Sequence, residues 1–279
     1  MPTSPHTVGP AAAAAACAVA SHAMVETRLS AIDALRTGGW PATAPALAPR
    51  FLRHSDEQTV VGMHAVLAAI AQYPEPRPSF DLHGVIAASC QAGRISAAQT
   101  LVQAAAIGGT AVSTRIVPEC SLHSPAGAVS VGLGMHGPNI GVGGGPDALA
   151  EGLFTAISWL RPTAAGRMRC DGVWLIVSGW DEEPVLDAAG KPVTDPICRA
   201  VALSLVPPRP GQLALEMHLE SAAGLKPAAR PTPGLLAAFG RALAAHGHAG
   251  GTAPWSHRCP WAAEIRLVPA DVATQGEAA

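Results

Sequence analysis

The chain has 279 residues, 49% of them apolar and only 14% charged, with a formal net charge of −2. That length accommodates one or two domains around a large core. The near-neutral balance and the absence of basic runs exclude an electrostatically driven nucleic-acid binder. No apolar run reaches the roughly 18 residues that a membrane helix needs, so no membrane segment is expected.

In chain order, residues 1–14 read as a disordered leader. No Lys or Arg precedes the alanine-rich run Ala11–Ala20, which favours a leader running into a strand over a secretory signal. Ala15–Val25 is expected as a first strand and Thr27–Leu35 as a short helix ended by Gly38 and Gly39. Ser55, Asp56 and Glu57 form a helix start, an N-cap followed by acidic residues, ahead of an apolar helix over Thr59–Gln72. Leu82–Ser89 is an apolar run suited to a buried parallel strand, and Ser96–Ala106 is a helix stopped by Gly108 and Gly109. Ala111–Val117 is short and read as extended or loop.

Beyond the central stretch, Val173–Ser178 is another buried strand. Ala200–Val206 and Leu213–Leu219 alternate as strands. The Pro-rich PPRPGQ between them reads as a hairpin-like connection at a sheet edge, because proline removes a ladder donor. Lys226–Pro233 is a linker, Gly234–His246 an amphipathic helix, Gly247–Pro260 irregular, and Ile265–Val268 a last strand. Strands alternating with helices imply an α/β layered fold.

The central stretch runs from Ser121 to Leu160. After a small-residue segment, Ser124–Gly134, come Gly137-Pro138, a short extended piece Asn139–Val142, the triple glycine Gly143–Gly145, and a helix over Pro146–Leu160. Glycines permit backbone angles closed to other residues. Pro146 suits the first helical position, Asp147 favours the positive helix end, and Leu149, Leu153, Ile157 and Leu160 recur at helical spacing. A phosphate-loop reading fails. No Lys-Ser or Lys-Thr follows the glycines, and Pro146 stands where a dinucleotide fingerprint needs Gly or Ala.

The segment LGMHGPNIGVGGGPDALAEG resembles the nucleophile region of β-ketoacyl synthases of the thiolase fold, and CSLHSPAGAVSVGLGMHGP extends the resemblance upstream. It covers about Phe80–Trp180. In that family a Gly-Pro, a buried strand and a turn lead to a cysteine at a helix N-terminus. The resemblance places this cysteine at Pro146, within Gly145, Pro146 and Asp147, so the chain has no thiol there. It also lacks the glutamine that related chain-length-factor subunits carry at this point. The family's histidine motifs are absent from the C-terminal part; His246-Gly247-His248 does not continue as they do. A synthase nucleophile must be a thiolate, lowered by the helix N-terminus, and proline has no nucleophilic group. No catalytic residue is therefore expected at the degenerate position.

The resemblance implies a thiolase-like layered α-β-α fold, N-terminal half only, over 15–206, with a short α+β extension and linker over 207–279. It implies a pseudoenzyme, chain-length-factor-like, pairing with an active ketosynthase subunit, or with a second copy of itself, and meeting an acyl carrier protein in fatty-acid or polyketide-type biosynthesis. No cofactor is expected. The alternative is an active acyltransferase or condensing enzyme with a non-standard nucleophile: Cys120, three residues from His123, or Cys90 at a strand end.

The six cysteines are dispersed without a CxxC pair, which reads as reduced, buried thiols of a cytoplasmic protein. His246, His248, His257 and Cys259 are the densest metal-type group, at a spacing that is not a zinc pattern, so no metal is expected. Asp181, Glu182 and Glu183 read as a solvated strand end rather than acid/base groups. His136, before Gly137-Pro138, lies near the face at which the resemblance implies subunit contact.

Overall fold

A computed structural model describes residues 15–73, 75–162, 170–209, 211–219, 234–247, 255–259, 261 and 263–268. The elements in chain order are β1 (Ala15–Arg28), a 3-10 turn (Leu29–Ala31), α1 (Ile32–Leu35), α2 (Glu57–Ala71), β2 (Gly84–Cys90), α3 (Arg94–Ile107), a second 3-10 turn (Gly109–Ala111), α4 (Ile116–Cys120), α5 (Ser124–Leu133), β3 (Asn139–Gly144), α6 (Ala148–Leu160), β4 (Val173–Trp180), β5 (Ile197–Val206), β6 (Ala214–Leu219), α7 (Leu235–Gly247), β7 (Trp255–Cys259) and β8 (Ala263–Val268).

The strands form one sheet of eight in the order β3-β2-β4-β5-β1-β6-β8-β7. Strand β2 runs parallel to β3 and β4. The other pairings, from β4–β5 outward to β7–β8, are antiparallel. Strand parity sorts the side chains into two layers. Ile86, Ala88, Leu175, Val177, Val201 and Leu203 face α6 and α7. Val85, Ala87, Trp174, Ile176, Ala200 and Ala202 face α2 and α5. The result is a helix–sheet–helix sandwich in which the central strands are apolar on both faces, as parallel strands under crossover helices must be.

The C-terminal strands are built differently. Leu215, Met217, Ile265 and Leu267 pack on the α6–α7 layer. The opposite face carries Glu216 across from Arg266 and His218 across from Glu264. That one-sided alternation fits antiparallel strands with one wet face, and Glu216 placed opposite Arg266 across the ladder favours the register.

Helix α2 is buried without a break from Gln58 to Leu67. A helix apolar all round belongs inside, and here it lies between the sheet and α1 and α5. Gly62 permits the approach: a Cβ there would stand 3.0 Å from Ile176 Cγ2.

Several expectations change. The PPRPGQ segment does not close a hairpin, because β1 lies between β5 and β6 and pairs with both. Strand β1 continues through Thr27 and Arg28, which pair with Cys198 and Ile197, so the expected helix over Thr27–Leu35 shrinks to a 3-10 turn and α1. Ser55 yields the cap of α2 to Asp56. The run expected to be irregular contains β7, and the piece expected as extended or loop, Ala111–Val117, ends in the start of α4. Helix α6 begins at Ala148 with Asp147 as its N-cap residue, so Pro146 precedes the helix instead of opening it. The linker Lys226–Pro233 and His248 lie outside the described residues. The segment expected as an extension adds three strands to the same sheet and one helix to the same layer.

Candidate functional site

The chain turns from β3 into α6 through glycines that only glycine satisfies. Gly143 and Gly144 have φ of 87° and 106°, angles that an L side chain reaches only under strain. Upstream, a Cβ on Gly141 would stand 2.3 Å from the Leu122 carbonyl, so the 121–123 segment lies directly on β3. The turn delivers Pro146 to the start of α6, beside the C-terminal ends of β2 and β4.

A cleft of about 280 Å³ opens there. Its lining comes from separate parts of the chain: Cys90 at the end of β2, Pro146 and Leu149 at α6, Val177–Asp181 at the end of β4, Arg199 on β5, and Gly234–Ala237 at the start of α7. Crevices at the carboxyl ends of parallel strands are where open α/β sheets bind ligands.

Cys90 is the one sequence-nominated thiol in this cleft. Its backbone carbonyl accepts from Gln58 Nε2 at 2.7 Å. Gln58 Oε1 in turn accepts from Ser178 Oγ, which meets Ser89 Oγ at 2.8 Å. This buried network ties α2 to the ends of β2 and β4. The turn after Cys90 has Gln91 at φ 55° and Gly93 at φ 68°. Asp56 holds it: one carboxylate oxygen caps Thr59 N at 2.9 Å and the other accepts from Gly93 N at 2.9 Å. Burial pushes the Asp56 carboxyl up, against the pull of these hydrogen bonds.

Among the described residues that line the cleft there is no histidine, and burial followed by the Glu183 charge pushes the Cys90 thiol up. Asp181 Oδ1 accepts from the backbone N–H of Glu182 at 2.9 Å and of Ile197 at 2.7 Å, so it serves the chain turn. Glu183 pairs with Arg94. The electrostatics are those of a thiol kept protonated, the reverse of the setting that activates a nucleophile.

The other candidates lie elsewhere. Cys120 and His123 do not line the cleft. Burial raises the Cys120 thiol, with a hydrogen bond to Ser96 pulling the other way. His123 is the N-cap residue of α5, without a side-chain capping bond. Among the described residues no three His, Cys, Asp or Glu side chains form a metal-binding group. Cys259 is packed in the α6–α7 layer, its thiol pushed up to about 12 by burial and then by Asp147. His257 stacks on Trp255 and is held down by burial. His246 lies in the last turn of α7. His136 is exposed and pairs with Asp81. Among the described residues no helix is long and apolar enough to cross a membrane.

No protein-family model matches this chain, and no curated protein matches it in sequence. Solved structures do. A ketosynthase (ApeO) in complex with its chain length factor (ApeC) from Xenorhabdus doucetiae superposes with a TM-score of 0.51 at 15% identity, over 92% of this chain and 98% of that one. The ishigamide ketosynthase/chain length factor superposes with a TM-score of 0.54 at 17% identity, over 91% and 99%. The fold is the thiolase-type, ketosynthase-like fold. The matches span nearly the full length of the neighbouring chains.

Sequence reasoning located the β3–α6 turn and Cys90. It missed Arg199, Trp180 and the start of α7 as cleft residues. No local signal marks them, because each is an ordinary strand or helix end until the sheet order brings it to the others.

Proposed function

We propose that the chain is a non-catalytic, ketosynthase-like subunit that pairs with an active β-ketoacyl synthase in polyketide- or fatty-acid-type synthesis. The observation that carries this reading is the start of α6: the position the resemblance assigns to the nucleophile is Pro146, with no histidine among the described cleft residues to serve as base. Both similar solved structures are ketosynthase–chain length factor proteins, and the same pairing is proposed for this chain. The free edge of β3 supports it. Ile140 on that strand is 39% exposed, and among the described residues β3 pairs on one side only, with β2. An unpaired strand edge with apolar exposure is a template for another chain. In this reading 15–206 carries the pairing face, and 207–279 closes the cleft through α7.

The test is affinity capture of the full chain from its native host, with wild type and Ile140→Lys side by side. The expected result is a ketosynthase recovered by the wild type, together with its acyl carrier protein, and depleted by the variant. A wild-type chain that runs as a monomer and recovers no ketosynthase overturns the proposal.

A second reading rests on Cys90, which shares the cleft with Pro146. Here Cys90 takes an acyl group from a thioester, releasing the thiol. Intact mass after incubation with acyl thioesters decides it: an adduct absent from Cys90→Ala supports this reading, and no adduct removes it.

A further inference from the structure

The cleft has a chemistry of its own, apart from any pairing. Its walls are apolar: Leu149, Val177, Trp180, Leu235 and Leu236. Its volume, about 280 Å³, lies at the lower end of ligand-sized cavities, roughly 300–1,000 Å³. Such a space takes a small molecule with a short apolar body.

The polar groups select the head of that molecule. Arg199 lines the cleft and uses Nε to meet Glu26 Oε2 at 2.8 Å. Its two terminal amino groups have no other partner among the described residues. A guanidinium presents a planar fork that matches a carboxylate. Gly234–Ala237 bring the first turn of the thirteen-residue helix α7 to the same wall, and no acidic residue occupies that turn. Its amide groups and dipole reinforce the preference for a negative head. The start of α6 does not compete, because its N-cap residue Asp147 and Glu151 in its first turn are acidic and the Ala148 N–H already donates to the Gly145 carbonyl. The acidic groups of the rim are engaged, Asp181 by two backbone N–H groups and Glu183 by Arg94.

From this convergence we infer that the cleft binds a medium-chain carboxylate, its apolar tail among Leu149, Trp180 and Leu236 and its head on Arg199. The site stands in the isolated chain and does not depend on a ketosynthase partner, so a failure here leaves the pairing proposal standing, and the reverse.

The experiment is calorimetric titration of the purified full chain with octanoate, octan-1-ol and octylamine as probes. The expected result is saturable 1:1 binding of octanoate, at least ten-fold tighter than the alcohol, with the amine weakest. Arg199→Gln should erase most of the octanoate preference, and Leu236→Trp, which fills the cleft, should abolish binding of both. A measurement on the unaltered chain guards against misfolded variants: octanoate should slow the alkylation of Cys90 by iodoacetamide, followed by peptide mass, at least three-fold. Octanoate that neither saturates below millimolar concentration nor protects Cys90 overturns the proposal. So does alcohol or amine binding that equals or exceeds octanoate binding.

Discussion

Asp56 joins three elements that are distant in sequence, and its removal should be felt at the cleft. Its side chain caps α2 through Thr59 N and holds Gly93 N, both at 2.9 Å, while its own N–H reaches the Glu119 carbonyl on α4 at 3.3 Å. In Asp56→Ala the lost cap costs about 1 kcal/mol. The Gly93 N–H, left buried without an acceptor, adds roughly 1–3 kcal/mol. The total expected loss is about 2–4 kcal/mol, reduced somewhat because the buried carboxylate is itself costly, as its raised pKa records. Asp56→Asn keeps one acceptor oxygen and should lose about half as much. Urea unfolding by linear extrapolation measures both variants, and amide exchange at Gly93 localises the effect. A loss below about 0.5 kcal/mol in the alanine variant, or a Gly93 amide as protected as in the wild type, would refute the view that this carboxylate sets the turn after Cys90.

Four further outcomes follow from the same geometry. Gly141→Ala puts a Cβ 2.3 Å from the Leu122 carbonyl and should cost about 1–3 kcal/mol by overpacking, with weakened recovery of the partner as β3 shifts; unchanged unfolding would contradict it. Trp174 is fully buried, and its Nε1 has no partner among the described residues. Trp174→Phe should therefore cost less than Trp174→Ala, for which cavity formation predicts roughly 3–5 kcal/mol, and equal losses would refute the reasoning. Burial holds His64 below its ordinary value, with its bond to the Leu35 carbonyl opposing. A folded-state pKa below the unfolded value of about 6.5 means full stability above that pH and a decline as the solution is acidified, so His64→Gln should flatten the stability profile between neutral pH and the folded-state titration. Pro146→Cys should create a thiol that iodoacetamide alkylates, without condensing activity, because no histidine lines the cleft among the described residues; turnover of acyl thioesters by this variant would show that the scaffold supplies a base after all.

The legible parts of the fold were those whose signal is local. The continuous apolar runs that became β2 and β4, the helix behind Asp56, and the glycine turn into α6 each declare themselves within a dozen residues, because burial on both faces or on one helical stripe must be written in consecutive side chains. That Pro146, and not a cysteine, precedes α6 was equally plain. Strand β7 escaped because five residues, Trp255–Cys259, with charged and polar alternates on the wet face, resemble a loop until a partner is present.

The sequence specified β2, β3 and β4 as strands and α2, α3 and α6 as helices, which face of α6 is apolar, and that no cysteine opens it, but not helix α5, whose segment Ser124–Gly134 read only as a run of small residues. Only the tertiary structure decided that β1 enters between β5 and β6, and that Cys90, Arg199 and the start of α7 share one cleft. The physical reason is that hydrophobic pattern specifies the face a side chain turns to the core but not the neighbour its backbone bonds. An apolar strand satisfies its pattern beside many partners. The choice among them rests on long-range packing, such as the fit of Met24 on β1 against Gly240 of α7, which no local window contains.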